Sequence, residues 1–399
     1  MQQDIVILGG ARTAMAEYSG TPGFGVFKDL SAIQLGAIAT MAAIERSGVS
    51  ADQIDQVFMG NALQTSNDAI YGARHVGLKA GVPIQSPALT VNRLCGSGIQ
   101  SVISASHAMF SGEASICVAG GMESMSQAPH VVHGMREGIR FGSEVKMDDL
   151  LFASLMDPHC GFFMAQTAEN IAKQWEIPRD HQDEFALRSH QLGAAAVESG
   201  KFAEEIVPVT VKRGRKEVVV DTDDHIKPET TIEGLGRLRP AFGKDGTVTA
   251  GNASGIVDGA AALVVAMASK AEELGRKPLA RIRSYAVAGV EPEVMGMGPS
   301  PAIRQALTRA ELELGDIDLF EINEAFSAQY LGVEKDLGLD RDKVNVNGGA
   351  IALGHPLGAT GTRLLLTLVR ELAHQNLQLG CASACIGGGQ GIAMIVERV

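Results

Sequence analysis

Short apolar runs recur along the chain: DIVILGG (4–10), QVFMGN (56–61), ICVAGG (116–121), ALVVAMA (262–268), LFEINEAF (319–326) and IAMIVER (392–398). None alternates strictly between apolar and polar, which is the pattern of strands covered on both faces. Between them lie segments of helical character, such as LSAIQLGAIATMAAIERSG (30–48) and SPAIRQALTRAEL (300–312). The alternation predicts α/β layers with helices on both sides of a sheet.

The chain also echoes itself. LCGSGIQSVISASHAMFSGEASICVAGGMESM (94–125) runs turn, helix, strand and Gly-Gly corner, and LGHPLGATGTRLLLTLVRELAHQNLQLGCASACIGGGQGIA (353–393) repeats that order. Two copies of one supersecondary unit account for the echo. Between the copies, from about 125 to 250, the character changes. Met, His, Arg and Pro cluster in SMSQAPHVVHGMREGIRFGSEVKMDD, and a helical segment follows in TAENIAKQWEIPRDHQDEFALRSHQLGAAAVESGKF. We read this region as an inserted subdomain. The expected division is an N-terminal half over 1–124, completed by about 251–276, a loop domain over 125–250, and a C-terminal half over 277–399.

Composition narrows the field. The 399 residues include 47 glycines and carry a formal charge of −12, which argues against general affinity for nucleic acid or anionic membranes while leaving room for one local basic patch. No stretch approaches the roughly 20 apolar residues of a membrane span, and MQQDIVILGGARTA reads as a first strand rather than a signal peptide. Five cysteines, an odd number without a secretory signal, point to reduced thiols in the cytoplasm. Cys381 and Cys385 lack the spacing of a metal site, so no metal is expected.

Four segments carry candidate chemistry. In VNRLCGSGIQS (91–101), Cys95 precedes a helix crowded with Ser, Ala and Gly; a helix N-terminus favours thiolate over thiol. In NVNGGAIALGHPLGATG (345–361), His355 is fixed among glycines and a proline. In CASACIGGGQGIA (381–393), Cys385 precedes a glycine bend whose exposed N–H groups suit an oxyanion. In EINEAF (321–326), an apolar strand ends in Asn323 and Glu324, an amide placed to hold a water or a carbonyl. Cys117, Cys160 and Cys381 read as packing.

Together, in this order, these segments resemble the thiolase family over essentially the whole chain. ILGGARTAMAEYSG, RLRPAFGKDGTVTAGNASG and the closing GGGQG add to the resemblance, although Ala14 stands where members commonly have proline. The resemblance implies two similar βαβαβαββ halves in five alternating layers, αβαβα, with the inserted region as a loop domain that binds coenzyme A. It implies acyl transfer. Cys95 would be acylated by a thioester and Cys385 would move the α-proton of acetyl-CoA. His355 would deprotonate Cys95 and, with Asn323 acting through a water, hold the enolate oxygen; the N–H groups of Cys95 and Gly387 would hold the tetrahedral oxyanion. Coenzyme A is then a substrate, and no metal or redox cofactor is needed.

By the same resemblance Ser254 touches the pantetheine arm, Lys227 lies near the nucleotide end, and Met164, Met295, Ala325 and Phe326 line the acyl pocket. Phe163 departs from the family, whose short-chain members commonly have His there, and an apolar wall at that place favours acyl chains longer than acetoacetyl. Members with a segment like SQAPHVVHGMREGIRFG use it as an arm between dimers, which implies a homotetramer. The competing readings are a thiolase-like condensing synthase, which does not normally carry a second cysteine in a CIGGG turn, and a non-catalytic acyl-CoA-binding protein.

Overall fold

The computed structural model describes residues 4–399; Met1–Gln3, part of the segment read as a first strand, lie outside the described residues. The apolar runs are strands. β1 (Ile5–Arg12) is buried at every position. Then come α1 (Ala32–Ser47), β2 (Gln56–Gly60), α2 (Gly72–Lys79), β3 (Ala88–Val91), α3 (Ser97–Phe110) and β4 (Ile116–Glu123). The inserted region contributes α4 (Met164–Gln174) and α5 (Arg179–Glu198), and the chain returns through β5 (Val257–Met267). β6 (Ala280–Gly289), α6 (Pro299–Ala310), β7 (Leu319–Ile322), α7 (Ser327–Leu337), α8 (Leu357–His374), β8 (Leu379–Ile386) and β9 (Gln390–Arg398) complete it.

The strands lie in the order β7-β8-β9-β6-β1-β5-β4-β2-β3, with the short strand Ala16–Glu17 beside the start of β5. Each half repeats one pattern. β1 runs antiparallel to β5, β5 antiparallel to β4, and β4 parallel to β2. Likewise β6 runs antiparallel to β9, β9 antiparallel to β8, and β8 parallel to β7. The halves join where β1 meets β6, through Val6 opposite Arg281 and Ile7 opposite Ala280.

Burial explains why the strands read as unbroken apolar runs. α1 packs on β1 and β5 from one outer side, and α6 packs on β6 and β9 from the other. Between the half-sheets lie α3 and α8, whose Ile99, Val102, Leu364 and Leu368 share a core with residues of both halves. These are the five layers. Glycines permit the central packing: a Cβ on Gly98 would lie 2.4 Å from the backbone nitrogen of Thr362, and one on Gly121 would lie 1.7 Å from the Gly358 carbonyl oxygen. Both distances are far inside van der Waals contact. The starts of α3 and α8, one just past Cys95 and the other just past His355, therefore meet at one end of the central layer.

The inserted region departs from expectation in one respect. The helical segment read as continuous over 167–202 breaks into α4 and α5, because Glu176 takes φ 52° and Pro178, which has no N–H to donate, sits at the start of α5. Small antiparallel hairpins pair His130–Val132 with Met147–Asp149, Met156–Asp157 with Phe162–Phe163, and Val209–Arg213 with Lys216–Val220. A fully buried Arg12 at the end of β1 ties the region down. It donates to Glu205 at 2.7 Å and to both oxygens of Asp223 at 2.7 and 2.9 Å. No helix among the described residues is long and apolar enough to cross a membrane.

Candidate active site

The turn that carries Cys95 is strained and locally braced. Leu94 has φ 45°, in the left-handed region, and its N–H donates to Asn92 Oδ1 at 3.0 Å. Ser97 Oγ accepts from the Arg93 N–H at 2.8 Å and donates to the Leu94 carbonyl at 2.7 Å. Cys95 thus sits in a tight turn, Leu94–Gly96, directly ahead of α3. The helix-start position predicts a thiolate-favouring site; the structure corrects this. Burial pushes the Cys95 thiol up to about 11, and the charge of Glu123 acts in the same direction. The backbone N–H groups of Gly387 and of Cys95 itself pull it back only in part. Desolvation outweighs the dipole, so the thiol needs a base.

His355 is held as a neutral imidazole. It lies between the short helix Ala350–Leu353 and α8, after Gly354 at φ 91°. Thr360 Oγ1 gives its own proton to the Pro356 carbonyl at 3.0 Å, so at 2.7 Å it accepts from the His355 Nδ1–H. That leaves Nε2 unprotonated as an acceptor, and Asn323 Nδ2 donates to it in a long contact of 3.4 Å. Burial, with the nearby charge of Arg363, drives His355 down to about 3. The ring stays neutral throughout the physiological range. Thr360, in the first turn of α8, was not singled out from sequence; its only signal there is its place in HPLGAT.

Asn323 follows the end of β7, its N–H bonded to the Ser383 carbonyl at 2.9 Å. Its Oδ1 is buried without a partner, an acceptor left open beside His355. Cys385, near the end of β8, is fully buried in a cluster with Met295 and Ala325, flanked by Met164 and Phe326. Burial pushes its thiol far up and the Cys95 sulfur adds to this, which places the two thiols within electrostatic reach. Gly387 completes the corner: its N–H reaches the Cys95 sulfur, and a Cβ there would meet Leu94 and Met164 side chains at 3.3 Å.

A cavity of about 310 Å³ opens onto this corner, with Phe163, Met164, Ser254, Phe326, His355 and Leu357 in its wall. Phe163 stacks on Phe242 at 5.3 Å and meets Phe152 at 4.8 Å between ring centres. The Ser254 N–H is tied to the Ala325 carbonyl at 3.0 Å. Lys227 stands apart from this cavity, exposed on the loop after the Val209–Val220 hairpin. Its loop is pinned by Asp223 to Arg12 and by His225, whose Nδ1 bonds Glu17 at 2.9 Å. Of the remaining cysteines, Cys117 and Cys381 are core residues. Cys160 differs from the packing role expected of it, because it lies in the turn between Met156–Asp157 and Phe162–Phe163 and is only partly buried.

The family profile "Thiolase, N-terminal domain" matches residues 5–269, and "Thiolase, C-terminal domain" matches residues 276–398. The chain is 49% identical to an acetyl-CoA acetyltransferase of Cupriavidus necator, over 99% of each chain. It is 48% identical to a human mitochondrial 3-ketoacyl-CoA thiolase, over 98% of each. A crystal structure of human mitochondrial 3-ketoacyl-CoA thiolase in complex with CoA superposes with a TM-score of 0.96 at 47% identity, covering 100% of this chain and 98% of that one.

Proposed function

The chain belongs to the thiolase family, and from that premise we propose how its own residues perform the acyl transfer between coenzyme A thioesters that its relatives' names describe. It is an acyltransferase. It cleaves a 3-ketoacyl-CoA to acetyl-CoA and a shortened acyl-CoA, or runs the same path in reverse as a Claisen condensation. One observation carries this reading: two thiols from opposite halves act on each other electrostatically with the Gly387 N–H beside the first, and a neutral imidazole with an unprotonated Nε2 stands in the wall of an apolar cavity that also includes Met164 and Phe326, the flank of the Cys385 cluster.

In cleavage, His355 Nε2 takes the proton of Cys95, and the thiolate attacks the 3-keto carbon. The N–H groups of Cys95 and Gly387 hold the resulting oxyanion. The C2–C3 bond breaks, leaving the acyl group on Cys95 and the enolate of acetyl-CoA. Asn323 and His355 hold the enolate oxygen, through a water at the open Asn323 acceptor, while Cys385 protonates its carbon. The thiol of coenzyme A then gives its proton to the Cys385 thiolate and attacks the acyl carbon, and the departing Cys95 thiolate takes back the proton held by His355, which restores all three residues. Ser254 meets the pantetheine arm, Met164, Met295, Ala325 and Phe326 surround the acyl group, and Lys227 on its exposed loop meets the nucleotide end. Coenzyme A enters as a substrate.

Assembly as a homotetramer, a pair of dimers, belongs to the same reading. Edge strand β3 exposes Leu89, and the segment between His130 and Asp149 exposes Met135, Ile139 and Phe141, apolar surface that a second copy would cover. Light scattering is expected to give about four times 41.9 kDa; a dimer stable on concentration would overturn it. The five free thiols suit a reducing, cytoplasmic compartment. The test of the reaction itself is a thiolysis assay with 3-ketoacyl-CoA, followed by peptide mapping after acetyl-CoA is added. Acetyl is expected on Cys95, and acetyl on Cys117, Cys160 or Cys381 would overturn the assignment.

A further inference from the structure

Two buried carboxylates, neither of them in the acyl-transfer steps above, bracket His355. Glu123 is the last residue of β4 and Glu324 lies two residues past the end of β7; both have 0% exposure. Glu123 accepts from the Gly358 N–H at 2.8 Å, in the first turn of α8, the helix that follows His355. It also accepts from Asn61 Nδ2 at 2.8 Å, the Leu63 N–H at 2.9 Å and the Ala62 N–H at 3.1 Å. Glu324 accepts from the Ile351 N–H at 3.2 Å, in the short helix Ala350–Leu353 that precedes His355. It further accepts from Ser189 Oγ of α5 at 2.6 Å and Asn345 Nδ2 at 2.9 Å, and Ser189 Oγ in turn accepts from the Gly349 N–H at 3.1 Å.

We propose that Glu123 and Glu324 are positioning residues for His355, each anchoring the start of one of the two helices between which the imidazole hangs; this rests on reading His355 as the base for Cys95. The chemistry suits carboxylates. Orphan N–H groups and the positive end of the dipole at a helix start favour an anion, and only a carboxylate offers two acceptor oxygens with no donor of its own. Glutamine keeps the shape but turns an NH₂ group toward fixed N–H donors, leaving at least one buried donor unmatched. The three residues from Gly354 to Pro356 then take their position from helix starts that have moved. Asn323 touches only the ring and Arg363 acts on it by charge; the backbone beside the ring is further tied by the His355 N–H to the Gly255 carbonyl at 2.9 Å, the Gly354 N–H to the Ala350 carbonyl at 2.8 Å and the Thr360 hydroxyl to the Pro356 carbonyl at 3.0 Å, the last two of which run to the same two helix starts.

The test measures acetylation of Cys95 by acetyl-CoA, by rapid quench and intact mass from pH 6 to pH 9, in wild type, Glu123→Gln, Glu324→Gln and the milder Ser189→Ala. Wild type is expected to be nearly flat from pH 8 to pH 9, where His355 is neutral and Glu123 ionised, and to slow toward pH 6 as Glu123, which burial pushes up to about 7, takes a proton and loses an acceptor. Each glutamine variant is expected to acylate at least tenfold more slowly at pH 8, where wild-type Glu123 is ionised, with KM within a factor of two. Its rate should climb close to tenfold per pH unit, because only pre-ionised thiol still reacts. Ser189→Ala is expected to fall between wild type and Glu324→Gln, and it decides the matter for the C-terminal half should Glu324→Gln fail to fold; Glu123→Asp does so for the other half. Loss of the Glu123 charge alone would ease thiol ionisation and speed the reaction, so a slower Glu123→Gln separates positioning from electrostatics. Flat profiles from pH 8 to pH 9 in every folded variant, with only Tm lowered, would overturn the proposal. A normal acylation rate in His355→Ala would instead overturn the reading of His355 as base.

Discussion

Cys95, just ahead of α3, and Cys385, near the end of β8, lie within electrostatic reach of each other, yet their surroundings differ. Cys95 keeps partial exposure at a strained turn and has backbone N–H groups at its sulfur. Cys385 has only its own backbone N–H, is sealed among Met295 and Ala325, and feels the first thiol as a neighbour. Both are pushed up by burial, but only Cys95 has a second donor, the Gly387 N–H, beside its sulfur. On the proposed mechanism the difference suits Cys95 to be the nucleophile and Cys385 the proton carrier: the first needs approach and an oxyanion site, and the second needs to stay protonated until a carbanion forms. The two halves share a topology and diverge at these helix and strand ends.

Removing either thiol breaks the comparison in a different place. Cys95→Ala is expected to lower thiolysis on the order of 10⁴-fold or more, as loss of a nucleophile does, and to abolish acetyl uptake seen by intact mass. Cys385→Ala is expected to lower turnover by roughly 10²–10⁴-fold while still taking acetyl onto Cys95. That variant should also fail to exchange the methyl protons of acetyl-CoA with deuterated water. Normal exchange in Cys385→Ala would make another group the proton carrier and erase the distinction.

What the sequence disclosed was what is local. β1, β2, β4, β5, β7 and β9 each coincide with an apolar run because both faces are covered, and the turns before Cys95, around His355 and after Cys385 each announce themselves by glycine. β6 was missed, since Arg281 and Arg283 interrupt its apolar pattern; both pair with Glu397 of β9, across the sheet and far along the chain. The environment of Cys95 was misjudged for a related reason. A helix start is visible in a sequence, whereas the burial that raises the thiol arises only when the chain folds around it. The Phe152, Phe163 and Phe242 contacts and the bond from His355 to Thr360 are likewise products of packing.

A smaller effect separates the base from the thiols. His355 has its folded value depressed to about 3 against about 6.5 in an unfolded chain, so the unfolded state binds more protons between those limits. Stability on this account is intact above pH 6.5 and declines as pH falls below it. From pH 7.5 to pH 5, wild type is expected to lose about 2 kcal/mol more than His355→Asn. Denaturant melts at the two pH values check this, and equal losses in both proteins would mean that the ring is not buried neutral.

The smallest expected effect lies at the far wall of the cavity, where Phe163 stacks between Phe152 and Phe242 with no polar group on its ring to meet a ketone or thioester oxygen. An imidazole there would offer such a partner; phenyl offers only apolar surface. Each methylene of an acyl chain buried against it is worth about 0.8 kcal/mol, a few-fold in kcat/KM. Wild type is therefore expected to use 3-ketohexanoyl-CoA more efficiently than acetoacetyl-CoA, and Phe163→His to move the ratio back toward the shorter substrate. The Phe163 N–H donates to Gln166 Oε1 at 2.8 Å at the start of α4, a backbone bond that histidine retains, so the variant tests the ring and not the helix start. A wild-type preference of about tenfold for acetoacetyl-CoA, unmoved by the substitution, would show that the aromatic stack serves packing alone and that the acyl chain is selected elsewhere in the cavity.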